Sequence, residues 1–117
     1  MATYSVYYMK SGFFCDGVKG YDWLQEKKLL PDPADLTKTH VFLKLIEARN
    51  LEDVYFRMQG ESWSPTGGAR EFVASKGLRH TSMCVGDVAV DHNSRVAYIL
   101  NRMGFRFLGT IAILGES

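Results

Sequence analysis

The sequence has no apolar run long enough to cross a membrane and no excess of charge of either sign. Its purely apolar stretches, such as Ile111–Leu114, fall far below the roughly 20 residues that a transmembrane helix needs. Fourteen Lys and Arg residues oppose thirteen Asp and Glu residues, which leaves a net charge of +1. We therefore expect no membrane partner and no overall field that attracts phosphate backbones.

Cysteine is also scarce, because the chain carries only Cys15 and Cys84. No CxxC or HxxxH spacing occurs, and none of the histidines has a ligand-like spacing to a cysteine, so we expect no metal and no cofactor. Met1–Ser5 lacks the basic and apolar regions of a secretory leader. Reduced thiols in a cytoplasm are the simplest interpretation, and one long-range disulfide is the alternative.

The sequence does have the composition of an ordinary globular domain. Of its 117 residues, 46% are hydrophobic and 23% are charged, which is close to the average for such domains. A chain of this length buries enough surface to need no disulfide or metal for its core. We predict one domain over residues 1–117, in which residues 12–39 form a long loop.

Several segments have the composition or the two-residue period of β-strands. They are Thr3–Met9, His40–Glu47, Val85–Val90, Arg95–Leu100 and Phe105–Leu108, with Thr110–Leu114 as a candidate last strand. In the second segment, Val41, Leu43 and Leu45 are expected to form a fully apolar face. Only short turns separate the later strands, which predicts a C-terminal β-meander.

Two helices are predicted between the second and third strands. Asn50 suits the N-cap of the first, whose apolar stripe of Leu51, Val54, Tyr55 and Met58 ends at Gly60. The second begins at Ser64–Pro65 or slips to Ala69, buries Ala69, Phe72 and Val73, and ends at Gly77. The predicted fold is α+β: a mainly antiparallel sheet with the meander and two short helices packed on one face.

The long loop is the first candidate functional region. Turn-prone clusters at Asp16–Gly20 and Pro31–Pro33 flank Tyr21–Leu30, which is at best a short helix. Loops of this length inside a domain often bind partners, and large aromatic residues are typical interface anchors. The predicted partner-binding residues are Phe13, Phe14, Tyr21 and Trp23, together with Trp63. The alternative is that Phe13, Phe14 and Trp23 pack into the core and hold the loop against the domain.

Two further segments carry side chains that could bind a ligand or take part in a reaction. Ser64, Thr66 and Arg70 surround a glycine pair at a helix start, where an anion or nucleic-acid phosphate binds readily, although ordinary capping also explains them. Arg79 and His80 extend this candidate set. In an extended chain His80 and Cys84 share a face but lie ~13 Å apart, beyond hydrogen-bond reach, so no catalytic residue is assigned.

Part of the chain resembles a recurrent family. The matching segments are Met58–Pro65, Ala69–Glu71 and Lys76–Val88. They are similar to segments of small phage, plasmid and conjugative-element proteins related to the YodL-like group. The hallmark of these proteins is a His-Thr-Ser-Met-Ser-Val-Gly-Asp-Val segment and a closing Gly-Phe, which is Gly104–Phe105 here. The resemblance covers roughly residues 50–108, and Cys84 stands where the pattern has Ser. It implies a mobile-element or viral accessory protein in the bacterial cytoplasm.

The resemblance and the aromatic loop together predict a protein that binds and modulates a host macromolecule, such as a polymerase, nuclease or defence complex. A nucleic-acid-binding domain is the alternative, and it requires convergence on one face of Arg70, Lys76, Arg79, Arg95, Arg102 and Arg106. An enzyme is the third class, with Asp87, His80 and Arg70 as its trio. Self-association is a further alternative, since an exposed edge strand at Thr3–Met9 or Thr110–Leu114 could pair with a second copy.

Overall fold

The computed structural model describes residues 1–59, 63, 67–78 and 80–111. Groups of short helices follow each of the first two strands, and the last three elements are strands. In order they are β1 (Ala2–Met9), α1 (Ser11–Gly17), α2 (Tyr21–Glu26), a 3-10 turn (Leu36–Lys38), β2 (His40–Ala48), α3 (Leu51–Arg57), α4 (Arg70–Ser75), β3 (Val88–Asp91), β4 (Val96–Asn101) and β5 (Gly104–Thr110).

The five strands form one antiparallel sheet in the order β2-β1-β3-β4-β5. The predicted α+β class, the antiparallel sheet and the C-terminal meander of β3, β4 and β5 are confirmed. The expectation that Thr3–Met9 offers an exposed edge is wrong, because β1 pairs with β2 on one side and with β3 on the other. The edges are β2 and β5, and residues 112–114 of the other edge candidate lie outside the described residues.

Both faces of the sheet are covered. On one face Tyr4, Val6 and Tyr8 of β1 pack against α3 and α4, the two helices that the sequence predicts. On the other face, Val88, Val90 and Ile99 pack against residues of α1, α2 and the 3-10 turn, namely Phe13, Leu24 and Leu36. The segment 12–39 is therefore a second helical layer rather than a long loop, because its apolar side chains cover the second face.

The first predicted helix has the cap that its sequence indicates. The Asn50 side chain accepts a hydrogen bond from the Asp53 backbone N–H, at 2.9 Å, and Val54 and Met58 are fully buried. Gly60, its predicted end, lies outside the described residues, as do Ser64 and Pro65. Of the two predicted starts of the second helix, the structure has the later one, with Ala69 as the residue before α4.

Three local expectations are wrong. Phe72 is 43% exposed, because α4 is short and turns only Val73 fully toward the core. Leu45 is 53% exposed although Leu43 is buried, because the register of β2 shifts at Leu43, opposite Val6 and Tyr7, and the two side chains do not share a face. The third strand begins at Val88 instead of Val85, since Gly86 adopts φ +101° in a turn that precedes it. None of the helices in the described part of the chain has the length and hydropathy to span a membrane.

Candidate functional site: a buried His–Asp–Cys cluster beside a groove

A buried carboxylate lies where the last turn before β3 meets the end of β1. Asp87 is fully buried. Its Oδ1 accepts the Met9 backbone N–H at 2.9 Å, and its Oδ2 accepts the Cys84 backbone N–H at 2.9 Å and His80 Nε2–H at 2.7 Å. Its own carbonyl accepts the Leu100 N–H at 2.8 Å. Asp87 thus joins the 80–87 segment to two strands of the sheet.

His80 is held between aromatic rings. It stacks on Tyr8 with a centroid distance of 4.6 Å and contacts Phe14 at 5.1 Å. Its side chain is 11% exposed. Because a carboxylate only accepts hydrogen bonds, Nε2 carries the proton and a neutral ring has its lone pair on Nδ1. That buried Nδ1 has no hydrogen-bond partner among the residues described.

Cys84 completes the cluster. One potential ligand atom each from His80, Cys84 and Asp87 lie within 4.8 Å of one another. The expectation that an extended chain keeps His80 far from Cys84 is therefore wrong: bends at residues 81–82 and the turn at 85–86 fold the segment back on itself. Burial, reinforced by the charge of Asp87, raises the pKa of the Cys84 thiol far above its usual range. Cys84 is not part of a disulfide bond.

A second buried histidine supports the turn that carries the cluster. His40 is fully buried, and its Nε2–H donates to the Gly86 carbonyl at 2.8 Å. Its Nδ1 lies 2.7 Å from the Thr39 hydroxyl, which donates to it. Burial lowers the pKa of His40, which favours the neutral ring that this pair of hydrogen bonds requires. His40 is thus a structural residue of the turn.

A groove opens next to the cluster, between α3 and the turn that joins β4 to β5. We call it the hairpin groove; its volume is about 790 Å³, and Cys84 lies on its wall. Its polar lining residues include Glu52 and Arg102. Tyr55 on one side is 42% exposed and Met103 on the other is 97% exposed. The apolar lining residues are Leu51, Tyr55, Met83, Val85, Leu100, Met103 and Phe105.

The predicted partner-binding aromatics lie elsewhere. Phe13 is buried in the core, while Phe14 touches His80. Tyr21 lies under the Arg106 guanidinium at 4.3 Å, Trp23 under Lys19 Nζ at 4.7 Å, and Trp63 under Lys44 Nζ at 5.5 Å. Within the part of the chain that the structure describes, none of these five lines the hairpin groove. They remain predictions as contact residues.

The sequence-predicted anion site is only partly described. Ser64, Thr66 and Arg79 lie outside the described residues. Arg70 is exposed at the start of α4, on a separate depression that it shares with Gly67, Gly68, Glu71 and Ala74. The structure therefore joins His80 to Asp87, as the enzyme hypothesis requires, but places Arg70 on a different surface feature from the groove beside them.

The basic side chains are spread over several elements. Arg95 and Arg102 lie in the turns at opposite ends of β4, and Arg106 on β5 pairs with Asp22 of α2 at 3.7 Å. Arg70 begins α4 and Lys76 follows its last residue, and α4 lies on the opposite side of the sheet from α2. Among the described members of the basic set there is no convergence on one face, so the nucleic-acid alternative gains no support.

Sequence reasoning missed the hairpin groove. Its best signal is the apolar stripe on α3, which the sequence analysis assigns wholly to the core although Leu51 and Tyr55 are only partly covered. No family model, curated protein or solved structure matches the chain.

Proposed function

We propose that this chain is an accessory protein of phage or mobile-element type that binds a host protein through the hairpin groove. The observation that carries the proposal is the apolar surface at the groove rim. Met103 is 97% exposed at the tip of a turn, opposite the partly exposed Tyr55 of α3. Exposed apolar side chains that border an apolar groove with polar residues at its margin are typical of protein-binding sites.

The occupant that fits best is a protein segment with a large apolar side chain. A groove of about 790 Å³ accommodates one or two such side chains, and an apolar partner would also cover Met103. Glu52 and Arg102, which line the same groove, offer an acceptor and a donor for polar groups of that segment. The resemblance to the YodL-like group supports a host protein as the source of the segment.

A thiol-dependent enzyme is the less favoured assignment for this region. The thiolate is the nucleophilic form of cysteine, and the environment of Cys84 raises its pKa, which keeps the thiol protonated. The Asp87 oxygens are already engaged by two backbone amides and His80. These contacts fix the fold of the 80–87 segment.

The test is affinity capture from a nuclease-treated bacterial lysate with the full chain, Met103→Asp and Phe72→Asp. Phe72 is also exposed and apolar but lies on α4, away from the groove. We expect Met103→Asp to lose the captured host protein by about tenfold or more, since a charge buried against an apolar surface costs at least ~1.4 kcal/mol. Phe72→Asp should capture it as the unaltered chain does. Equal capture by Met103→Asp, or nothing above background with the unaltered chain, contradicts the proposal.

A further inference from the structure

The His80–Cys84–Asp87 cluster brings together three different kinds of metal-ligand atom. An imidazole nitrogen, a thiol sulfur and a carboxylate oxygen lie within 4.8 Å of one another. In a tetrahedral zinc site the metal lies ~2.0–2.3 Å from such atoms, so neighbouring ligands are about 3.3–3.8 Å apart. His80 Nε2 and Asp87 Oδ2, which are 2.7 Å apart here, would have to separate slightly around the ion. A small rearrangement of side chains is enough to bring the three atoms around one ion.

The ligand types select the class of metal. Thiolate and imidazole are the ligands of Zn²⁺ and related transition-metal ions, whereas Mg²⁺ and Ca²⁺ prefer oxygen alone. A thiolate from Cys84 and a carboxylate from Asp87 supply two negative charges, which balance a divalent cation beside a neutral His80. Charge balance matters at this place because Asp87 is fully buried and an isolated buried charge is costly.

Two observations on the cluster favour a bound cation. His80 Nδ1 is buried and lacks a hydrogen-bond partner within the described ranges, so it can take the ring proton, which leaves the lone pair on Nε2, the nitrogen that lies 2.7 Å from Asp87 Oδ2. Asp87 has no Lys or Arg side chain at ion-pair distance among those same residues, and its one ion-pair contact is with His80. A buried carboxylate with no Lys or Arg side chain beside it is a setting that a cation would stabilise.

We propose that His80, Cys84 and Asp87 form a binding site for Zn²⁺ on the wall of the hairpin groove. Binding breaks the Cys84 S–H bond, releases its proton to solvent and forms a metal–sulfur bond, while the ring proton of His80 moves from Nε2 to Nδ1 so that Nε2 binds the metal, with no change of oxidation state. Three protein ligands leave a fourth position for water, as in zinc sites that exchange ligands. Cys84 lies on the groove wall, so that position is reached from the groove. This inference is independent of the proposed host partner.

The test is titration of the purified, metal-free full chain with Co²⁺ and Zn²⁺. Co²⁺ is followed by the thiolate-to-metal absorption band, and Zn²⁺ by calorimetry and by the melting temperature. We expect saturable binding of one ion per chain, a sulfur band with Co²⁺, and a melting temperature that rises with Zn²⁺ concentration. Cys84→Ser should abolish the sulfur band, and Cys84→Ser and His80→Gln should each weaken Zn²⁺ binding by about 100-fold.

Cys15→Ser is the matched control, since Cys15 is exposed on α1 and is not part of the cluster. It should keep the sulfur band and the affinity. Circular dichroism without metal verifies that each variant is folded, and His80→Gln provides a second variant if Cys84→Ser is unfolded. Absence of saturable binding by the unaltered chain, or a sulfur band that survives Cys84→Ser and vanishes with Cys15→Ser, overturns the proposal.

Discussion

At the scale of single residues, Asp87 is the buried side chain that ties the 80–87 segment to the end of β1. It is fully buried, and its carboxylate accepts hydrogen bonds from the Met9 and Cys84 backbone N–H groups and from His80 Nε2–H. Burial of a charged group is costly unless hydrogen bonds replace its lost water. The segment that contains His80 and Cys84 therefore depends on Asp87 for its position.

Asp87→Asn should lower the free energy of unfolding by about 3 kcal/mol, because the amide NH₂ faces donors and leaves buried groups unsatisfied. Urea denaturation at neutral pH in the presence of a chelator measures the change. Asp35→Asn is the matched control: Asp35 makes an exposed ion pair with Lys38 at 4.0 Å, and its loss should cost less than about 1 kcal/mol. A cost for Asp87→Asn no larger than the control's contradicts this role.

Gly86 is the residue that allows the segment to fold back. It has φ +101°, and an added Cβ would lie 2.9 Å from the backbone of Gly17. Gly86→Ala should therefore destabilise the protein by about 2 kcal/mol or more, through backbone strain and displacement of α1. Gly12→Ala is the control, because nothing lies within 4 Å of its added Cβ, and it should be neutral or slightly stabilising. Equal unfolding midpoints for the two variants would contradict the account.

At the scale of elements, α3 shows how far local sequence determines structure. Its N-cap and buried stripe are predictable, because both depend on residues within one helical turn of each other. The cap is reinforced by Asp53, which the sequence places in the first turn and the structure shows to be buried. Asp53 Oδ2 accepts the Arg49 backbone N–H and Arg57 Nε–H, both at 3.0 Å.

These hydrogen bonds predict a pH dependence of the stability of α3. The Arg49 backbone N–H, followed by the Arg57 side chain, lowers the pKa of Asp53 from 3.8 to about 2. A folded-state pKa below that of the unfolded chain means that the stabilisation is present above about pH 4 and is lost as the pH falls toward 2. The unaltered chain should therefore exceed Asp53→Asn in unfolding midpoint at about pH 5, and the difference should shrink on acidification. A difference that is constant with pH would contradict this.

The helices α1 and α2 and the His80–Cys84 contact are less predictable, for a shared reason. Neither helix has a side-chain cap, and helices this short are stable only through packing on the rest of the protein, here through Phe13 and Leu24 on the sheet. The approach of His80 to Cys84 depends on a glycine turn and on Asp87, which is anchored to a strand 78 residues earlier in the chain. The hydrophobic periodicity and the composition of the sequence carry no information about such long-range contacts.

At the scale of the whole molecule, the sheet separates two surfaces of different character. On one side α1 and α2 close over the core, and their aromatic side chains are covered by Arg106 and Lys19. On the other side, α3 leaves a groove against the β4–β5 turn, with Met103 projecting from it. The exposed apolar surface at this groove favours the interpretation that the protein binds another protein. The His80–Cys84–Asp87 cluster beside the groove adds a candidate site for a metal ion.

The most direct measurement of this account is photo-crosslinking in bacterial cells, with a benzophenone amino acid placed at position 103 and, as the control, at position 72. We predict that the crosslinker at position 103 forms a discrete adduct with a host protein. This adduct should be absent when Tyr55→Asp is introduced across the groove. The crosslinker at position 72 should give no corresponding adduct. An empty result at position 103, or the same adduct from both positions, would contradict binding through the hairpin groove.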